Sequence, residues 1–338
     1  MSDRHQNVAI GFMLSVLFSA FVFLLPTPAV SEENAVRKDL YISSPDVRLL
    51  QKGGFGQSRV PGLEPIEKYG SFFGLKITLK PQGGWNTFSG GDIEKGIGAL
   101  FDYAAADISA SGTTIVESIK ESTHAGLEAG GDLIYAITPL FGIGIGAANI
   151  RTRKDNRLVF LDEESWPQIL QIEPEIKVSA FRAGLFYSFP FAGRLAISVH
   201  GGPALYSAEY SFSMGGSASF LRDGLIHTGY FQKAKSKQMG FEGGLGFEFN
   251  ANPFVAIFVE AQGRYAKIGG FEGEEKATFY QNNQFQTAVR NGPAYFVDTV
   301  PYPQLDIVPA GGAVPGSARR ATLNFSGVSI LAGLKLRL

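Results

Sequence analysis

The chain has no cysteine among its 338 residues. Disulfide frameworks, thiolate metal sites and a lipid-modified N-terminal cysteine are therefore excluded, in keeping with passage through an oxidising periplasm. Long apolar runs are also missing after the first 30 positions. A helical membrane protein would carry several runs of about 20 apolar residues, so most of the chain is not transmembrane helix. Net charge is nearly absent, because 30 Lys+Arg face 31 Asp+Glu. That balance gives no general pull toward nucleic acid. The four histidines lack metal-ligand spacing, and neither a metal nor another cofactor is expected.

What is abundant is glycine, phenylalanine and tyrosine, at 42, 28 and 12 residues. This mixture suits pleated, half-buried strands better than helices, as does the mean hydropathy of +0.05. The N-terminus has its own character. Arg4 precedes the unbroken apolar stretch Val8 to Leu25, followed by Pro26, Pro28 and the small residues Ala29 and Ser31 ahead of Glu32. This order reads as a signal peptide over residues 1–31. A retained anchor helix is the competing reading, since the apolar run is long for a signal. Residues 32–71 are polar, are interrupted by Pro45, Pro61 and Pro65, and read as a periplasmic lead-in.

From residue 72 to 338 the dominant signal is alternation. Leu127, Ala129, Leu133, Tyr135 and Ile137 share one parity, and Glu128 and Asp132 the other. Phe181, Leu185 and Tyr187 oppose Arg182; Leu195, Ile197 and Val199 oppose Arg194, Ser198 and His200; Met239, Phe241, Leu245 and Phe247 oppose Glu242 and Glu248. With similar segments near residues 74–80, 141–148, 255–265 and 328–338, eight strands with one apolar face are expected. Short turns at Thr138-Pro139, Pro190 to Gly193 and Asn250 to Pro253 alternate with long links at about 86–124, 153–175, 213–236 and 268–320. The expected fold class is all-β: a closed antiparallel transmembrane β-barrel with short periplasmic turns and long extracellular loops. A soluble sandwich would show the same alternation.

Charge placement favours the barrel. Glu128, Asp132, Arg182, Arg194, Glu242, Glu248, Glu260, Arg264, Lys335 and Arg337 all fall on the non-apolar parity, with mixed signs able to pair as a luminal polar network. Lys or Arg turned into lipid near the midplane would cost roughly 2–4 kcal/mol each. The chain ends as Gly333-Leu334-Lys335-Leu336-Arg337-Leu338, which resembles the C-terminal signal of bacterial outer-membrane barrels, with Leu338 where that signal carries an aromatic. Together with the strand layout, the chain resembles the OmpA/OmpW-like group of small barrels. The resemblance implies outer-membrane lipid and lipopolysaccharide as surroundings, the barrel-assembly machinery as a partner in biogenesis, and a barrel without the peptidoglycan-binding domain some of that group carry.

Little points to catalysis. Ser198 and His200 could share a strand face as nucleophile and base of an acyl hydrolase, but their parity turns them away from the apolar face and no acidic orienter is identifiable. A non-enzymatic structural, envelope-integrity or surface-interaction role is the leading expectation, ahead of a narrow channel or carrier for small or apolar solutes. The luminal-parity glycines, Gly142, Gly144 and Gly146 among them, serve strand curvature or leave room for a ligand. Asp92 to Ala105 has helical spacing with Asp92 placed to cap, giving a helix on the loops or a gate. The acidic groups 162–164 and 272–275 read as solvated surface. Arg151, Arg153, Lys154, Arg157, Lys233, Lys235, Lys237, Arg319 and Arg320 are expected around the outer end as a basic rim. Such a rim could meet lipopolysaccharide phosphates, ordinary solubilising charge being the plainer account.

Overall fold

Alternating faces build the core of the architecture. The computed structural model describes residues 77–161, 165–222, 225–281, 284–299 and 301–338. The signal-peptide and lead-in segments lie outside these residues. In chain order the elements are β1 Ile77–Thr87, α1 Gly91–Ala110, β2 Thr114–Ile119, β3 Ala125–Ala136, β4 Phe141–Arg153, β5 Asn156–Leu161, β6 Pro167–Ala192, β7 Leu195–Arg222, β8 Leu225–Asn250 and β9 Val255–Tyr265. They continue as β10 Lys267–Gly269, β11 Glu272–Gln281, β12 Gln284–Val297, β13 Gln304–Ile307, β14 Ala318–Arg320, β15 Thr322–Asn324 and β16 Gly327–Arg337.

Eight of these strands form a ring of antiparallel pairs, β1-β3-β4-β6-β7-β8-β9-β16 and back to β1. They are the eight segments whose alternation is evident in the sequence. Tight turns join β3 to β4, β6 to β7 and β8 to β9 at one end. Asn252 sets the last of these, its side-chain oxygen accepting from the amides of Phe254 and Val255 in an Asx arrangement. Around the ring the apolar parity faces outward: Leu133, Phe181, Leu185, Phe241, Leu245 and Val259 are all exposed.

The long links are not loops. Strands β6 and β8 run for 26 residues and β7 for 28, well past the ring, and β5 with β2 on one side and β11 with β12 on the other extend the same sheet. Above the ring the polarity of the faces inverts. Along β6 the even-numbered residues stay buried from Leu170 to Arg182. Next to the turn they are Arg182, Gly184, Phe186 and Ser188, but further out they are Ile172, Ile176, Val178 and Ala180, and the outward residues become Glu173, Glu175, Lys177 and Ser179. Strand β7 does the same, with Tyr206, Ala208, Tyr210, Phe212 and Met214 buried.

Helix α1 closes this upper interior. It spans 91–110 rather than 92–105, and its N-cap is Gly90 with no side-chain cap. Asp92 does not cap the helix; its carboxylate accepts from Arg319 Nη2 at 2.7 Å and from the Thr322 amide and hydroxyl at 3.2 and 2.9 Å, tying the helix to β14 and β15. Ile93, Ile97, Phe101, Ala104 and Ile108, one stripe at helical spacing, join Ile172, Ile176, Phe212, Leu305, Leu323 and Phe325 in one buried apolar cluster. Gly96 lets the helix approach so closely that a Cβ there would overlap Leu305.

Truncating Phe101 to Ala removes a fully buried ring from this cluster and should cost about 3–5 kcal/mol. Limited proteolysis is expected to cut the α1 segment of the variant first while the ring stays intact; equal resistance in variant and parent would show that the helix is not held by this packing.

Candidate functional site: the charged interior and its sealed end

Inside the ring the odd-numbered apolar residues of β3, β6, β7 and β8 look out and their even-numbered neighbours look in, so charges from β1, β3, β6, β8, β9 and β16 converge. Arg182 lies at the centre. Its Nε donates to Asp132 Oδ1 at 2.7 Å and its Nη1 to Glu242 Oε1 at 3.0 Å. Lys80 Nζ donates to Glu260 Oε2 at 2.7 Å and lies 3.7 Å from Asp132. Arg264 Nη2 meets Glu128 Oε2 at 3.0 Å, and the Ser329 hydroxyl donates to the same carboxylate oxygen at 2.6 Å. Nearest the turns, Lys335 pairs with Glu248, and Arg337 lies 3.6 Å from it. The Tyr206 hydroxyl donates to Glu242 Oε2 at 3.1 Å, linking the charged interior to the apolar one above.

Of the residues expected in a luminal network, Glu128, Asp132, Arg182, Glu242, Glu248, Glu260, Arg264 and Lys335 are buried, whereas Arg337 is only partly covered. Arg194 is exposed at the β6–β7 turn, because the two-residue turn lifts it clear of the ring. Lys80, 1% exposed, belongs to the network as well, and its place on the opposite parity from Ile77 and Leu79 is the sequence signal for it. Gln262, completely buried and 3.5 Å from Arg182 Nη1, follows the same rule.

The glycines on this face make way for the ion pairs. A Cβ at Gly146 would overlap Asp132 Oδ1 and come within 2.7 Å of Arg182 Nε, and one at Gly244 would overlap His200 Nε2. Space vacated by glycine is thus filled from the neighbouring strand. His200 Nε2 lies 2.8 Å from Glu260 Oε1 and its ring stacks on Phe186. The Ser198 hydroxyl, also buried, has no hydrogen-bond partner among the described residues, so Ser198 and His200 do not form the nucleophile–base bond a hydrolase needs.

Beyond the apolar band the outward face is a lattice of opposite charges. Arg151 and Arg153 pair with Glu175 and Glu173 at 2.6 and 2.7 Å, Lys154 with Glu121 at 3.2 Å and Arg157 with Glu117 at 2.6 Å. Lys233 and Lys235 share Glu209 at 3.0 and 2.9 Å. Arg319 serves Asp92 and stacks over Phe296, and Arg320 lies over Tyr295, both remaining exposed on β14 beside the cap that α1 and the strands around it form. Lys237 is exposed at the edge of the band. Burial raises the carboxyls of Glu175 and Glu209, but the hydrogen bonds from their Lys and Arg neighbours outweigh it and hold both below the ordinary carboxylate value.

The acidic group 272–275 divides between environments. Glu272 and Glu274 face outward, but Glu275 is 4% exposed inside the cap, where its Oε2 accepts from the Tyr230 hydroxyl at 2.7 Å and Arg290 lies 3.6 Å from its Oε1. Gln232 bridges Glu275 to the Leu305 carbonyl at 3.4 and 3.3 Å, anchoring β13. Residues 162–164 lie outside the described residues.

No protein-family model matches the chain, and no curated protein does. Solved structures similar to it include CarO2 of Acinetobacter baumannii, 13% identical over 78% of this chain and 99% of the other, with a TM-score of 0.29. The outer membrane protease OmpT of Escherichia coli is 12% identical over 78% of this chain and 96% of the other, with a TM-score of 0.25.

Two expectations follow from the charges. Arg182→Leu leaves Glu242 without its ion-pair partner and Asp132 with only Lys80, 3.7 Å away, and should cost about 3–5 kcal/mol, much of it recovered when Asp132→Leu and Glu242→Gln are added; urea titration of the variants reads the difference, and additive losses would mean the cluster is not coupled. For Glu209 and Glu175 the folded pKa is depressed, so their contribution is present above the unfolded carboxylate value, about 4.3, and is lost as pH falls through that value and below it. Protection factors in the β6–β8 extensions, with exchange taken relative to the unstructured chain at the same pH, should fall on acidification toward pH 3, and less steeply in Glu175→Gln/Glu209→Gln.

Proposed function

We propose that this protein is an outer-membrane β-barrel of a two-membrane bacterium, with a structural, envelope-integrity or surface-interaction role and a cap that stands outside the bilayer. The outward band carries this reading. From Met239 to Phe249 along β8 the apolar parity covers ten residue steps; at about 3.4 Å per residue and a tilt near 40°, that is about 26 Å of height, the thickness of the apolar belt of outer-membrane barrels. Exposed aromatics bound it on both sides. Trp85, Phe181, Phe241 and Tyr265 stand at the cap edge, and Tyr135, Phe189, Phe191 and Phe254 near the turns, as in the girdles at the two membrane interfaces. A soluble sandwich would have no reason to expose Phe241 at 65% and Tyr265 at 70% in one contiguous belt.

Lipid and lipopolysaccharide are the surroundings this belt calls for. Arg151, Lys235 and Lys237 face them from just beyond its edge, although the first two already hold carboxylate partners. A narrow channel or carrier would require a path past α1, whose apolar stripe fills the upper interior. An eight-stranded interior is in any case occupied largely by side chains.

Membrane fractionation and gel mobility with and without boiling test the proposal. Outer-membrane recovery with a heat-dependent mobility shift is expected. A soluble or inner-membrane protein without the shift would overturn it. In planar bilayers the protein should give no stable conductance steps, with or without residues 91–110, since Lys80, Arg182, Glu260 and Arg264 are buried inside the ring below the helix; steps in the intact protein would make the channel reading primary.

A further inference from the structure

Strand β12 offers an edge that the fold leaves open. On one side it pairs with β11 along its length. On the other, β13 begins only at Ala294, β14 continuing the β11 side from Tyr295, and among the described residues no strand lies beside Gln284 to Asn291 on the β13 side. Gln284, Phe285, Gln286, Thr287, Val289 and Arg290 are all exposed, Phe285 at 68% and Val289 at 51%. Of the devices that normally blunt an edge, QFQTAVRN has no proline, lysine or register shift, and its one charge, Arg290, leans back toward Glu275 at 3.6 Å.

The ladder also shows which groups face the open side. The amide of Ala294 donates to Phe271 of the β11 side, while the carbonyl of Pro293 accepts from Val308 on the other. In an antiparallel strand these roles alternate. Phe285, Thr287, Val289 and Asn291 therefore direct their amides and carbonyls to the open edge.

We propose that this edge pairs with the same edge of a second copy standing in an opposed membrane. The segment is self-complementary when laid antiparallel about Thr287. Phe285 then lies opposite Val289 twice over, an aromatic–β-branched pair of the kind that stabilises sheets. Arg290 lies opposite Gln284, so the two arginines do not meet. Phe285, Thr287 and Val289 all sit at narrow hydrogen-bonded positions of that register, which exchanges six backbone hydrogen bonds. Orientation decides where the second copy stands. Strand β11 starts at Glu272 beside Lys235 and runs away from the apolar band, so the β11–β12 hairpin points outward. Two such hairpins joined antiparallel have their bands at opposite ends, which two copies in one membrane cannot achieve. The paired strands bury less than the roughly 1,200 Å² of a stable interface. Single pairs are therefore weak, and contact between surfaces gathers many of them.

The inference rests on the membrane reading above, and the test separates the two. Full-length protein is inserted in two populations of dye-labelled phosphatidylcholine liposomes, with insertion checked by the heat-dependent mobility shift. Clustering between populations should exceed that of protein-free liposomes at least tenfold and rise steeply with protein density. Val289→Pro removes one edge amide without touching the β11 ladder; it and Phe285→Lys should insert normally and abolish clustering. Because the chain has no cysteine, Thr287→Cys alone should form a disulfide dimer between liposomes, the Cα separation of about 5.5 Å at a hydrogen-bonded pair falling within disulfide reach. Inserted wild-type protein that does not cluster, clustering that survives Val289→Pro, or a Thr287→Cys dimer that forms equally within an isolated liposome population held too dilute to touch would each overturn the proposal while leaving the barrel intact.

Discussion

The inward parity shared by β6, β7 and β8 is the constraint on which the rest depends. Between the register shifts near their ends, at Pro190/Ala192, Gly215/Phe220 and Gly229/His227, each of these strands is one continuous pleat, so a residue's side is fixed there by whether its number is odd or even. Yet the environment on each side changes halfway along. Next to the turns the outside is apolar and the inside charged, as Phe181 and Arg182 show; further out the outside is Glu175 and Lys177 and the inside Ile176 and Val178. A slip of one residue anywhere in the register would reverse both halves at once. It would turn Arg182 and Glu242 toward the band and put Glu175 and Glu209 into the cap.

That double penalty gives the buried ions a physical role. A cluster such as Arg182–Asp132–Glu242 need not stabilise the fold more than apolar side chains of the same volume would, since desolvation offsets much of the attraction. What it does is make the alternative registers costly. The glycines support the same end. Gly146 and Gly244 leave room for carboxylate and imidazole groups that reach across from adjacent strands, so the cross-strand pairs fix which glycine lies beside which charge. Strand curvature and space for partners are here two results of one choice of residue.

The inversion also explains what could be read from the sequence. The eight ring segments and their tight turns were legible because an apolar belt and a polar interior both obey period 2. The extensions were not. Leu170, Ile172, Ile176 and Val178 alternate as cleanly as Phe181 and Leu185, but on the other parity, and a change of phase looks like the end of a strand. Tyr206, Tyr210 and Phe212 on β7 disguise their strand in the same way against Ile197 and Val199. The stripe of α1 was readable from its spacing, whereas its partners Leu305, Leu323 and Phe325 lie more than 190 residues away in the chain. Glu275 reads as surface in the sequence for a similar reason. Nothing near it in sequence announces Tyr230 and Gln232, which satisfy its carboxylate inside the cap.

The same packing decides between a fixed plug and a gate at α1. Lifting the helix would return Ile93, Ile97, Phe101 and Ile108 to water, and at about 1.5–3 kcal/mol for each such side chain the displacement costs on the order of 6–12 kcal/mol. Every 1.4 kcal/mol is about tenfold in population, so an open state would be rarer than about one molecule in ten thousand. Arg319 and Thr322 would also lose Asp92, and Leu305 its seat against Gly96. A gate that works by small biases needs two states separated by a few kcal/mol. The buried stripe puts α1 outside that range, which makes it a permanent part of the cap's core.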